Sequence, residues 1–319
     1  MLVVTDLSQP VWPASAAGPA RSVVTIGAYD GVHLGHQAVV GEVRRRAESL
    51  GAYSVVVTFD RHPASVVRPE SAPRLLTDLA QKLELLTATG VDATVLVPFD
   101  AQQAAESPEH FVERVLVRCL GARQIVVGED FHFGNRRRGN VALLRGLGAQ
   151  FDFEVEPVEL IGRPDGVAEP VSSTAIRRAL AGGQVELAAR LLGRPFQARG
   201  PVHQGDQRGR TIGFPTANVA VPAEICLPAD GVYAGWYMRP DGERHPCAIN
   251  LGRRPTFYEH AETSLLEAHL IDFAGDLYGE QARVEFTHFL RSERKFDGID
   301  ALVGQLKHDV DNARELLSS

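Results

Sequence analysis

The chain has 319 residues, 44% hydrophobic and 23% charged, which suits two globular domains with a core in each. Its formal net charge of −7 argues against nucleic acid as a global partner, although local basic patches can still hold small anions. Cys119, Cys226 and Cys247 form no Cys-x-x-Cys pair and are expected to be reduced and buried, no apolar run approaches the ~18 residues that span a bilayer, and residues 1–20 lack the layout of a signal peptide, so no membrane partner and a cytoplasmic location are expected.

Residues 1–20, rich in Pro, Ala and Ser, read as an irregular lead-in. Residues 22–27 form a β-branched apolar run ending in glycine, as a buried parallel strand does. A helix over 35–50 follows, then strand 53–59, helix 78–89 with Leu79, Leu83 and Leu86 on one face, strand 93–97, helix 108–120 and strand 124–128. Strands alternating with helices predict an α/β domain, a doubly wound parallel sheet with helices on both faces. Short helices at 173–180 and 185–192 precede a change of pattern near residue 195. Beyond it, extended runs at 199–202, 211–219, 231–238, 247–251, 265–273 and 281–290 predict an antiparallel β-barrel, followed by a terminal helix over 299–317. The domains are expected at 1–187 and 188–319.

The first chemical signal is Gly-Ala-Tyr-Asp-Gly-Val-His-Leu-Gly-His at 27–36, directly after the first buried strand. His33 and His36 share a face of the helix start, and Gly31 and Gly35 leave room for a ligand to approach the backbone. A helix N-terminus presents N–H groups and a positive dipole end, and two imidazoles there can donate to phosphate oxygens and stabilise charge developing at phosphorus. The bland alternative is a glycine turn with two surface histidines. Gly128-Glu129-Asp130-Phe131-His132-Phe133-Gly134, with Arg136, Arg137 and Arg138, lies at the carboxyl end of the fourth strand, where open α/β sheets bind ligands. Its aromatics can stack on a planar ring and its arginines can hold phosphates; a solvated basic loop is the alternative. Ser172-Ser173-Thr174-Ala175-Ile176-Arg177 reads as a helix cap whose hydroxyls and arginine can also reach phosphates.

With Thr58-Phe59-Asp60-Arg61-His62-Pro63, these segments resemble the flavin-adenylylating module of bacterial bifunctional riboflavin kinase/FAD synthetases. The resemblance implies a Rossmann-like nucleotidyltransferase domain, with Gly27, Tyr29, Gly35, Ser173, Thr174 and Arg177 at ATP. It implies Asp60, His62, Asp130, Phe131, Phe133 and Arg138 at the flavin. Tyr29 replaces the family's usual phenylalanine and Arg61 a frequent proline.

In the second half, Gly209-Arg210-x-x-Gly213-Phe214-Pro215-Thr216-Ala217-Asn218 shapes a rigid turn, and Thr216 and Asn218 offer hard oxygens suited to Mg²⁺ or, alternatively, to local backbone bonds. Strand alternation puts Leu265, Glu267 and His269 on one face, where Glu267 either takes a proton from a substrate hydroxyl or is merely solvated. Together with Gly231-Val232-Tyr233, Asn250-Leu251-Gly252, Pro255-Thr256-Phe257, Phe289-Leu290-Arg291 and Lys295-Phe296, these residues resemble the riboflavin kinase domain. The resemblance implies Thr216 and Asn218 on Mg²⁺-ATP and Glu267 as base. It also implies Gly209, Arg210, Gly213, Pro215, Gly231 and Tyr233 at ATP, and Arg291 at the flavin. Tyr258 departs from a common glycine.

The expected function is phosphorylation of riboflavin to FMN in the barrel and adenylylation of FMN to FAD in the N-terminal domain. The expected partners are ATP, riboflavin and FMN, in a monomer or weak homo-oligomer without nucleic acid. One rival is a nucleotidyltransferase for another phosphorylated metabolite, which leaves Glu267 and Pro-Thr-Ala-Asn unexplained. The other is a flavin-binding sensor without catalysis, which the intact His33, His36, Thr216, Asn218 and Glu267 oppose.

Overall fold

A computed structural model describes residues 1–12, 21–205, 208–253 and 264–318, with the side chains at 208, 210, 253 and 264 left out. It divides into two compact units, Met1–Ser172 and Ser173–Ser319. The break precedes the expected 187/188 because helix α7 (Ser173–Ala181) packs on α8 (Val185–Leu192), and α8 in turn packs on barrel strands.

The first unit runs β1 (Leu2–Val4), β2 (Ser22–Ile26), α1 (Leu34–Leu50), β3 (Tyr53–Phe59), α2 (Pro63–Val67), α3 (Leu79–Ala88), β4 (Ala93–Val97), α4 (Ala101–Ala105), α5 (Pro108–Phe111), β5 (Ala122–Gly128), β6 (His132–Phe133), β7 (Gly139–Asn140), α6 (Val141–Phe151) and β8 (Glu154–Val158). Six strands form one sheet in the order β1-β4-β3-β2-β5-β8, and every pairing is parallel. Alternate residues of the central strands feed two cores. Val24, Val55, Val57, Val95, Ile125 and Val127 pack with Val115, Leu116 and Leu144 on one face, while Val23 and Val126 meet Val43 and Ala47 of α1 on the other. The strand order reverses between β2 and β5, so the loops after Ile26 and after Gly128 leave neighbouring strands at the carboxyl edge, on either side of the switch point.

Three expectations change here. The lead-in contains β1, an edge strand paired with β4. The helix expected over 108–120 is α-helical only to Phe111 and then winds as a π-helix over Val112–Cys119, turning Val112, Val115, Leu116 and Cys119 inward. Helix α3 buries Gln81, Lys82 and Leu86 rather than a stripe of Leu79, Leu83 and Leu86.

The second unit continues from α7 and α8 through β9 (Phe196–His203), α9 (Arg208–Thr211), β10 (Ala217–Val219), β11 (Gly231–Met238), β12 (Arg244–Arg253), β13 (Ser264–Leu270), β14 (Gln281–Arg291) and α10 (Ile299–Leu317). The strands close a barrel in the order β10-β13-β12-β11-β14-β9, all antiparallel. Phe196, Tyr233, Tyr237, Ile249, Leu266 and Phe286 fill its interior. The strand expected over 211–219 is mostly absent. The Phe214 N–H donates back to the Gly209 carbonyl (2.8 Å), Gly213 turns the chain at φ 88, Pro215 lacks an N–H, and only Ala217–Val219 pairs.

Candidate functional site

In the first unit the Gly27 N–H donates to the Val57 carbonyl (3.0 Å), and the loop then turns through left-handed Tyr29 (φ 51), Gly31 (φ 83) and Val32 (φ 38). Glycine adopts this region freely, whereas Tyr29 and Val32 must be held in it. Tyr29 is buried, its hydroxyl 2.8 Å from the Thr25 hydroxyl, and Val32 is buried beside it. Asp30, also buried, accepts the N–H groups of Leu76 (2.9 Å) and Thr77 (3.1 Å) and so ties the turn to the approach to α3.

His33 caps α1, its Nδ1 accepting the His36 N–H at 3.3 Å, which leaves Nε2 as the protonated nitrogen of the neutral ring. The rings of His33 and His36 stack with centroids 3.6 Å apart. A Cβ on Gly35 would lie 3.2 Å from the His33 ring and 3.3 Å from the Val171 carbonyl, so this glycine makes room for His33. Gly27 likewise makes room for the ring of Tyr29, which a Cβ would approach to 3.0 Å. Burial, with repulsion from His33 and Lys82, holds the His36 pKa well below the ordinary histidine value. Its Nδ1 is buried with no hydrogen-bond partner among the described residues.

Asp60 and His62 emerge from β3 beside this loop, lining a small recess with Ala28, Asp30, Thr77 and Lys82. Asp60 accepts the Phe99 N–H (2.8 Å), and His62 caps α2 by accepting the Ala64 N–H (3.1 Å). After β5, Phe131 and Phe133 stack with centroids 5.4 Å apart. Phe133 is core, backed by Gly139, whose Cβ would come within 2.6 Å of the ring; half-buried Phe131 offers the accessible face. Asp130 and Arg138 are exposed, and Arg136 (φ 53) and Arg137 (φ 58) make the turn between β6 and β7. Ser173, Thr174 and Arg177 lie in the first turns of α7, within the second unit, with Thr174 exposed and the other two half-buried.

The second unit holds a cavity of about 850 Å³, bordered by Gly209, Pro215, Thr216, Asn218, Asn250, Glu267 and His269, with Phe273, Leu302, Leu306 and Val310 supplying apolar wall. Asn218 on β10 stands opposite Glu267 on β13, and Glu267 stands opposite Asn250 on β12. The Asn250 amide donates to Glu267 Oε2 at 3.4 Å. His269 Nδ1 lies 2.8 Å from the Pro215 carbonyl, which it can only meet as a donor, so the ring fixes the turn that precedes β10. A Cβ on Gly205 would lie 2.5 Å from the Asn218 amide nitrogen, and one on Gly209 would lie 2.3 Å from the Phe214 carbonyl.

Other expected residues play supporting parts. Gly213 is the turn residue. Gly231 starts β11, where a Cβ would meet the Arg291 carbonyl at 2.8 Å. Tyr233 is fully buried in the barrel, its hydroxyl donating to the Ala229 carbonyl. Arg291 is engaged by Asp309 of α10 through Nε (3.0 Å) and Nη2 (2.7 Å). The Arg210 side chain and residues 255–258, Tyr258 among them, lie outside the described residues. In the sequence Asn250 stands out only as part of a motif, and no local pattern marks the parts played by Lys82 and Asp309.

Comparison with known proteins agrees with both halves. A family model for FAD synthetase matches residues 16–175, and one for riboflavin kinase matches residues 192–317. A bifunctional riboflavin kinase/FMN adenylyltransferase of Pseudomonas fluorescens is 41% identical over 294 residues, 92% of each chain. The protein of that name from Haemophilus influenzae is 38% identical over 296 residues, 93% of this chain and 94% of its own. A solved Streptococcus pneumoniae structure, described as a macrolide-efflux protein, is 31% identical with a TM-score of 0.85 over 98% of each chain. No helix among the described residues of the present chain is long and apolar enough to cross a membrane. With relatives this similar over nearly the whole length, the chain belongs to the bifunctional riboflavin kinase/FMN adenylyltransferase family, its FAD synthetase domain first and its riboflavin kinase domain second.

Proposed function

We propose that Glu267, Thr216 and Asn218 carry the kinase step in the barrel cavity, and that His33 and His36 serve the adenylyl step at the start of α1. The observation that carries the reading is the single cross-strand row Asn218–Glu267–Asn250 on the cavity wall. There Glu267 takes the proton of the riboflavin 5′-hydroxyl as its oxygen bonds to the γ-phosphorus of ATP. The bond from that phosphorus to the β–γ bridging oxygen breaks, giving FMN and ADP. The apolar wall from Phe273 to Val310 suits the flavin ring.

Thr216 and Asn218 fit a magnesium ion shared with nucleotide phosphates: both carry hard oxygens, and Gly205 keeps clear the space against Asn218 that a Cβ would fill. Such an ion would neutralise phosphate charge when bound.

In the N-terminal unit an FMN phosphate oxygen bonds to the α-phosphorus of a second ATP and pyrophosphate leaves. The nucleophile is already an anion, so alignment and donor hydrogen bonds are what the site must supply. His33 and His36, with the N–H groups at the start of α1, are assigned to the phosphates; Phe131 is assigned to the flavin ring. A cytoplasmic location, a monomer or weak homo-oligomer and no nucleic-acid partner complete the reading, the last supported by the net charge of −7.

The test is chromatography of products from riboflavin, ATP and Mg²⁺, with FMN and FAD scored separately. Glu267→Ala is expected to stop FMN formation by roughly 10²–10⁴-fold while sparing FAD formation from supplied FMN. His36→Ala is expected to do the opposite. Equal loss of both steps in a folded variant would refute the two-site assignment.

A further inference from the structure

The side chain of Lys82 leaves α3 and ends beneath the loop that carries His33 and His36. Only 7% of the residue is exposed. Its Nζ donates to the Phe59 carbonyl at 2.7 Å and lies 3.4 Å from both the Ala28 carbonyl and the Thr58 hydroxyl. The Thr58 hydroxyl itself donates to the Ala28 carbonyl at 3.1 Å. Ala28 follows β2 and opens the histidine loop. Phe59 ends β3 and opens the segment bearing Asp60 and His62. One ammonium therefore joins the carbonyl ends of two neighbouring strands, where the residues assigned to phosphate and to flavin emerge.

The charge is expensive in this position. Asp30 and Asp60 favour it and His36 lies within its field, but among the described residues no carboxylate forms an ion pair with it. Desolvation outweighs the two carboxylates and brings the lysine down to about 8. A methionine of similar length would fill the space without burying a charge, so stability alone does not explain an ammonium here. Costly buried charges of this kind gather where a site must be held in a working geometry.

We propose that Lys82 is a positioning residue for adenylyl transfer: by holding the Ala28 and Phe59 carbonyls together, its ammonium sets the phosphate-handling loop against the flavin-side segment. The inference rests on adenylyl transfer belonging to the N-terminal unit.

The experiment uses the full chain as wild type, Lys82→Met and Lys82→Arg. FAD formation from supplied FMN and ATP is followed from pH 6.5 to 9.5, beside FMN formation from riboflavin and the thermal unfolding midpoint. Lys82→Met should lower kcat for FAD formation roughly 10- to 100-fold, the scale on which small misplacements act, with FMN formation and the midpoint unchanged or the midpoint raised. Wild-type FAD formation should decline above about pH 8 as the ammonium is lost, and that limb should be missing in Lys82→Met. Lys82→Arg, which keeps charge and donors, should retain several-fold more activity than Lys82→Met. Wild-type kcat in Lys82→Met, equal losses in Lys82→Met and Lys82→Arg, or an alkaline limb that persists in Lys82→Met would overturn the proposal. A wild-type chain that makes no FAD from FMN would instead overturn the assignment beneath it.

Discussion

Asn250 and Glu267 face each other across β12 and β13, and the Asn250 amide donates to the Glu267 carboxylate at 3.4 Å. With one oxygen engaged this way, the carboxylate has a preferred orientation toward the cavity. Asn250→Ala should lower kcat for FMN formation by roughly 10-fold, and Asn250→Asp by more, because it replaces a donor with a like charge directly opposite. FAD formation from supplied FMN is the internal control in the same preparation.

Gly205 packs where a Cβ would sit 2.5 Å from the Asn218 amide nitrogen. Gly205→Ala should therefore displace Asn218 and raise the KM for Mg²⁺-ATP in the kinase step, leaving the barrel folded. Initial rates at varied Mg²⁺-ATP separate this from a fall in kcat. An unchanged KM would show that Asn218 does not hold nucleotide.

His36 gives the first unit a pH dependence of known sign. The folded ring resists protonation, while the unfolded chain accepts a proton once the pH falls below the ordinary 6.5. The unfolded state then binds more protons, so stability is lost as the solution is acidified through and below that value. Unfolding of the first unit followed at pH 7.5, 6.0 and 5.0 should show this decline, and His36→Gln should flatten it.

Arg291 and Asp309 form a bidentate pair in which the Asp309 side chain is only 4% exposed. Arg291→Ala leaves that carboxylate buried without its cation and should cost the second unit roughly 3–5 kcal/mol in urea unfolding. Adding Asp309→Ala should recover part of the loss. A double variant no better than the single one would mean that Asp309 finds other partners, with Gln305 (2.7 Å) the nearest at hand.

The sequence is most legible where a pattern and its burial agree. The runs at 22–27, 53–59 and 93–97 are β-branched and buried on both faces, and they became β2, β3 and β4. The alternation around Glu267 is equally direct, since Leu266, Ala268 and Leu270 are buried and Leu265, Glu267 and His269 are not. The edges of the sheet were harder to read. Strand β8 is Glu-Val-Glu-Pro-Val, whose charges and proline suit an edge but carry no hydrophobic signal, and β1 has only three residues. Helix α3 hides its buried face for another reason: a lysine ordinarily faces solvent, so the leucine spacing points away from Lys82, which tertiary contacts enclose. Phe133 resembled a ligand platform, yet ring packing from Phe111 makes it core. Local sequence carries residue type and spacing; it does not carry which polar group tertiary contacts will enclose.

The barrel is closed by β10, which has three residues and meets β9 at only two positions. A cylinder whose shortest stave forms its seam should open there before anywhere else, and Asn218 sits in the middle of that stave. Amide hydrogens of 217–219 should exchange with solvent sooner than those of β11 or β14. Mg²⁺-ATP bound through Asn218 would act as a rivet across the seam, slowing that exchange and raising the melting temperature with nucleotide concentration.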